Sequence, residues 1–176
     1  MRNSNTRKLT TIAVLCALAY AAVFFIRIPV VLFLKYEPKD VVITTGGLIF
    51  GPLTALCISV IVSLVEMFTV SDTGIWGLVM NILSTCSFAC TATFIYKRKS
   101  TLTGAIIGLI TGCAIMVAVM MLWNYLIAPI YMGLPREAVV KLLIPAFLPF
   151  NLLKGGLNVV FTLLLYKPVR MALRKI

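Results

Sequence analysis

A chain of 176 residues that is 61% hydrophobic and only 12% charged departs from the roughly 45–50% apolar, 25% charged make-up of soluble domains. Its mean hydropathy is +1.08, so one integral-membrane domain spanning residues 1–176 is expected, built as an all-α bundle. The formal net charge of +11 does not argue for nucleic acid, because the basic residues sit in short clusters between apolar runs, as lipid-spanning chains place them.

Residues 1–8 are polar and basic, and the apolar run Leu9–Ile26 has the length of a bilayer crossing. Such a start also resembles a secretory signal. An uncleaved first helix is expected instead, because Ala13, Ala17 and Ala21 recur every fourth residue and form a smooth strip for close helix approach. The strip serves either a partner or the bundle itself. Arg27 to Asp40 reads as a loop with two prolines and the cluster Lys35-Tyr36-Glu37-Pro38-Lys39-Asp40. Val41 to Val70 is too long for one span and is interrupted at Gly46-Gly47 and Gly51-Pro52, which predicts a short helix near 41–50 and a full one near 53–70. Further helices are expected near 76–96, 101–125 and 150–166, with a partly structured loop over 126–149 that holds a short helix near 135–143. Gly104, Gly108 and Gly112 make a second small-residue strip, read as internal packing.

Charge sets the number of segments. With six, Arg2, Arg7, Lys8, Lys97, Arg98, Lys99, Lys167, Arg170, Arg174 and Lys175 fall on one side without an acid. The opposite side mixes Arg27, Lys35, Lys39, Arg136 and Lys141 with Glu37, Asp40, Asp72 and Glu137. A six-helix transmembrane bundle with both termini cytoplasmic is therefore expected. Its short second segment would be sheltered by protein.

The residue inventory excludes much chemistry. There is no histidine, which removes the usual general base and metal ligand. Cys16, Cys57, Cys86, Cys90 and Cys113 all lie in apolar stretches, and Cys86 and Cys90 share a helical face as packed thiols. No metal, cofactor or enzymatic activity is expected. No GxxxxGK[ST] loop occurs, so ATP would have to be hydrolysed by another protein. Glu66 is the only acid inside a span, and structural and functional roles are both open to it.

Neutral polar and aromatic groups remain. In the stretch Pro145–Asn158, spacings of three and seven put Asn151, Lys154 and Asn158 within roughly 60° on one helical face. A lysine inside an apolar span costs a few kcal/mol and so faces a polar cavity, a partner or the interface. The six-segment topology brings Asn151 and Lys154 level with Asn124 and Tyr125, with Trp76, Met80 and Asn81, and with Tyr36 and Asp40. Amides and a lysine read the carbonyl and imide edge of a heterocycle, while Trp and Tyr supply flat apolar surface. Each aromatic alone fits an interfacial belt equally well; several converging point to a site for a polar, planar small molecule.

The stretches KYEPKDV (35–41), GGLIFGPL (46–53), EMFTVSDTGIWGLVMN (66–81), NYLIAPIYMGLPREA (124–138) and LPFNLLKGGLN (148–158) resemble the S components of energy-coupling factor (ECF) vitamin transporters, and the last two resemble the riboflavin branch in particular. The resemblance covers nearly the whole chain. It implies a six-helix fold in a bacterial cell membrane and a vitamin pocket near the outer face. It also implies docking through an alanine strip, here Ala13, Ala17 and Ala21, onto a transmembrane coupling protein that works with two cytoplasmic ATPases. Under that resemblance Asn124, Asn151 and Lys154 recognise polar atoms of riboflavin, and Trp76, Tyr36 and Met80 supply contact surface. Asp40, Asn81 and Asn158 are further candidates. The alternatives are an S component for another vitamin or flavin analogue, or a small membrane scaffold whose polar residues only hold helices together.

Overall fold

The computed structural model describes residues 4–31, 34–71 and 73–173; Arg2, Asp72, Arg174 and Lys175, which entered the charge count, lie outside them. Helix α1 (Ser4–Phe25) is followed by strands β1 (Ile28–Val31) and β2 (Leu34–Tyr36), then α2 (Lys39–Phe50), α3 (Pro52–Thr69), α4 (Gly74–Arg98) and α5 (Leu102–Met132). Helix α6 (Arg136–Leu142), one π-helical turn (Leu143–Phe147) and α7 (Leu148–Leu173) complete the chain. Five helical stretches are long and apolar enough to cross a membrane: α1, α3, α4, α5 and the run from Arg136 to Tyr166. Helix α2 is the short sixth segment, and as expected it is enclosed by protein, buried along most of its length.

Several expectations change. The 27–40 loop is an antiparallel hairpin pairing Ile28 with Tyr36 and Pro29 with Lys35, irregular between Pro29 and Val31. The short runs of β-branched and aromatic residues suit strands, and a two-stranded ribbon tolerates proline on an open edge. Helix α2 accordingly begins at Lys39, which puts Lys39 and Asp40 in its first turn. The 126–149 loop is mostly helical: α5 continues through Pro129 to Met132 and stops at Gly133, whose φ of 64° favours glycine. Pro145 lies in the π turn, where a widened turn accommodates a residue without an N–H.

Gly46 and Gly47 do not break α2. They let it approach its neighbours, since a Cβ on Gly47 would meet the Ala55 Cβ at 2.9 Å and run into the Thr93 side chain. The break comes at Gly51, with φ 98°, and Pro52 restarts the chain as α3. The strip of Gly104, Gly108 and Gly112 is internal packing as read: a Cβ on Gly108 would lie 2.5 Å from Ala92 O, and one on Gly112 2.5 Å from Phe88 O. Beside it Phe88, Ala89, Ala92, Leu109 and Met116 are fully buried in the main core. Gly108→Val is expected to push α4 from α5 and cost about 1–3 kcal/mol, seen as a lower melting temperature in detergent. Gly156→Ala, where an added Cβ meets nothing within 4 Å, serves as the neutral comparison.

Candidate functional site

A cavity of about 390 Å³ lies between the hairpin, α4, α5 and the start of α7. Helical periodicity on α4 aims Trp76, Gly77, Met80, Asn81 and Ser84 at it. Across from them stand Met120, Asn124 and Tyr131 of α5, and Phe150, Asn151 and Lys154 of α7. The π turn immediately precedes this part of α7. Leu34, Lys35 and Glu37 of the hairpin, with Arg27 at its base, close the remaining side.

Backbone contacts fix the orientation of the two amides. Asn124 Nδ2 donates to Met120 O at 2.8 Å while its Oδ1 accepts from Tyr131 Oη at 3.3 Å. Asn151 Nδ2 donates to Phe147 O at 2.7 Å. Both are almost wholly buried, so their remaining hydrogen-bonding capacity is aimed into the cavity rather than at bulk solvent. Lys154 Nζ donates to Ser84 Oγ at 3.2 Å. Trp76 and Met80 of α4, Met120 of α5 and Phe150 of α7 add apolar surface to the same cavity. The arrangement can clasp a flat molecule on its faces and read polar atoms along one edge.

An ionic chain ties the hairpin to the bundle. Arg27 Nε lies 2.8 Å from Glu37 Oε1, and Arg27 Nη1 donates to Val70 O at 2.7 Å. Glu37 Oε2 is 3.1 Å from Lys39 Nζ, which also bonds Glu66 Oε2, and Asn81 Nδ2 donates to the same oxygen at 2.8 Å. Lys39 has no solvent exposure and Glu66 has 1%. Glu66 therefore has helix-linking partners on α2 and α4. Burial pushes the Glu37 carboxyl up, but Lys39, Lys154 and Arg27 together outweigh it and hold Glu37 below its usual range. Tyr36 is pushed up to about 12, by burial first and by Asp40 second, so its hydroxyl stays a donor.

Of the residues expected at a site, Asn124, Asn151, Lys154, Trp76, Met80 and Asn81 line the cavity. Tyr36, Asp40 and Asn158 do not; they form a buried layer behind it, joined by Tyr36 Oη donating to Asn158 Oδ1 at 3.2 Å and Asn158 Nδ2 donating to Asp40 Oδ2 at 3.1 Å. The sequence reading missed Arg27, Glu37 and Ser84. Ser84 could have been found from its spacing of four from Met80 on one α4 face. The other two carry no local signal, since they reach the cavity through the hairpin. On α1, Ala13 and Ala17 are exposed and Ala21 is half-buried, while Ala19 and Val23 face the core with no exposure.

Residues 7–166 match the family model of the ECF transporter substrate-specific component. The riboflavin transporter RibU of Staphylococcus aureus is 28% identical over 180 residues, covering 97% of this chain and 94% of that protein. The RibU of Streptococcus thermophilus is 28% identical, with 98% and 87% covered. The riboflavin transporter FmnP of Bacillus subtilis is 30% identical, with 77% and 76% covered. A solved S component of a bacterial ECF transporter superimposes with a TM-score of 0.81 at 28% identity, covering 97% of this chain and 99% of the other. The S component for biotin from an ECF-type ABC transporter shares the fold at a TM-score of 0.62 and 16% identity, over 95% and 94% of the two chains. This chain belongs to the substrate-specific components of ECF transporters.

Proposed function

We propose that this chain captures riboflavin at the outer face of a bacterial cell membrane and delivers it inward with an ATP-driven coupling module. The observation that carries the reading is the convergence of two buried amides and a lysine with Trp and Met side chains on one cavity of ligand size. Full-length similarity to proteins named riboflavin transporters supports the choice of vitamin. Asn124, Asn151 and Lys154 would meet the polar edge of the flavin and Trp76 and Met80 its faces. Asn81 would contribute from the α4 wall. Tyr36, Asp40 and Asn158 support the site from behind. The substrate is bound and released unchanged, so the protein needs no catalytic group of its own.

The charge distribution supports cytoplasmic termini, which sets the cavity at the opposite, outer side. The open face of α1 at Ala13 and Ala17 is the docking surface for the transmembrane coupling protein, and two cytoplasmic ATPases supply the nucleotide chemistry. Titration of the purified protein in detergent with riboflavin, followed by quenching of flavin fluorescence, tests the reading. Saturation at one site per chain is the expected result, and no binding by folded protein would remove riboflavin. Asn151→Ala should weaken binding by about 1–3 kcal/mol, because a polar atom of the ligand loses its partner. Unchanged affinity would take Asn151 out of the site.

A further inference from the structure

Lys154 shows in the cavity wall, but the group that decides how it is presented lies behind it. Lys154 Nζ is 3.1 Å from Asp40 Oδ2 and 3.2 Å from Ser84 Oγ. Asp40 has no solvent exposure and no place on the cavity wall, so it cannot touch a ligand there. Its other partners come from two further elements: Thr85 Oγ1 donates to Oδ1 at 2.6 Å and Asn158 Nδ2 to Oδ2 at 3.1 Å. Asn158 is itself held by Tyr36 of β2. Residues of α2, α4, α7 and the hairpin thus converge on one carboxylate. Among the described residues, the cation it meets at hydrogen-bond distance, Lys154, also faces the cavity.

An ammonium carries three donors. Asp40 and Ser84 take two, which leaves one N–H for the cavity and fixes the direction of the others. The nearby counter-charge also compensates a buried cation that would otherwise be costly.

We propose that Asp40 is a positioning residue of the ligand site: acting through Lys154, it aims the ammonium and balances its charge, so that the cavity presents one oriented donor to an uncharged acceptor atom of the ligand. The inference rests on the cavity being the riboflavin site. It assigns Asp40 a role the sequence alone did not separate from direct contact.

A double-mutant cycle on the purified full chain tests it. Wild type, Asp40→Asn, Lys154→Met and the double variant are titrated with riboflavin, and each is melted without ligand to establish that it is folded. Asp40→Asn should weaken riboflavin by about tenfold or more when Lys154 is present. The same change in the Lys154→Met background should cost much less, with the two fold-losses differing by more than about threefold. A smaller difference means that Asp40 acts on the fold generally, and overturns the proposal; so does wild-type affinity in Asp40→Asn. Should Lys154→Met fail to fold, Lys154→Gln replaces it under the same criterion. A wild type that binds no riboflavin overturns the site reading and this inference with it. That result is distinct from a wild type that binds and an Asp40→Asn variant that binds equally well.

Discussion

Lys39→Met is expected to be the most damaging single substitution in the chain, costing about 3–5 kcal/mol of stability. Lys39 is fully enclosed and holds two carboxylates, Glu37 and Glu66. Removing the ammonium leaves Glu66 buried with a single amide donor, Asn81. Arg27 still compensates Glu37, so most of the loss comes from Glu66. The double variant Lys39→Met/Glu66→Gln should then recover much of the stability, since a neutral amide replaces the stranded charge. Thermal unfolding of the purified proteins in one detergent reads both effects. A single variant within about 1 kcal/mol of wild type would mean that the pair behaves like an exposed one, against its burial.

The second large effect is on uptake alone. Ala17→Trp should abolish ATP-dependent riboflavin uptake in cells or proteoliposomes while leaving binding by the isolated protein unchanged. Ala17 is exposed on α1, on the side away from Ala19 and Val23, which pack into the core. An indole there would fill the space a partner helix needs without reaching the cavity, which α1 does not line. Ala13→Trp should behave alike. Loss of riboflavin binding in the isolated variant would show that the strip serves the fold, and normal uptake would show that it serves neither.

The membrane class and the count of segments were legible because apolar length and basic clusters report directly on lipid. Asn124, Asn151 and Lys154 were legible because polar side chains inside apolar runs are costly in lipid unless a cavity or a neighbouring helix receives them. The hairpin was not, for Pro29 and the charges around Glu37 mask a ribbon whose pairing depends on the bundle beneath it. The course of α5 past Pro129 was hidden for a related reason: local propensity disfavours proline, and the contacts that override it come from α6 and the π turn. Tyr36, Asp40 and Asn158 were expected to bind the ligand themselves, and their depth behind the cavity is not a sequence property. Only the level at which α2 begins puts them behind the wall instead of on it.

That level has a consequence for how the bundle makes room for a guest. Twelve residues of helix reach only about 18 Å, against a hydrocarbon layer of about 30 Å. The top of α2 is pinned by Asp40 to Thr85 and Asn158, whereas the cavity takes its α4 and α7 residues from Trp76 to Ser84 and from Phe150 to Lys154, all preceding those anchors in their helices, toward the hairpin. The vacancy is thus the missing upper turns of α2, with the hairpin as its roof. Receptor and bundle share one column of space, and each turn added to α2 would make a more regular membrane span and a shallower receptacle.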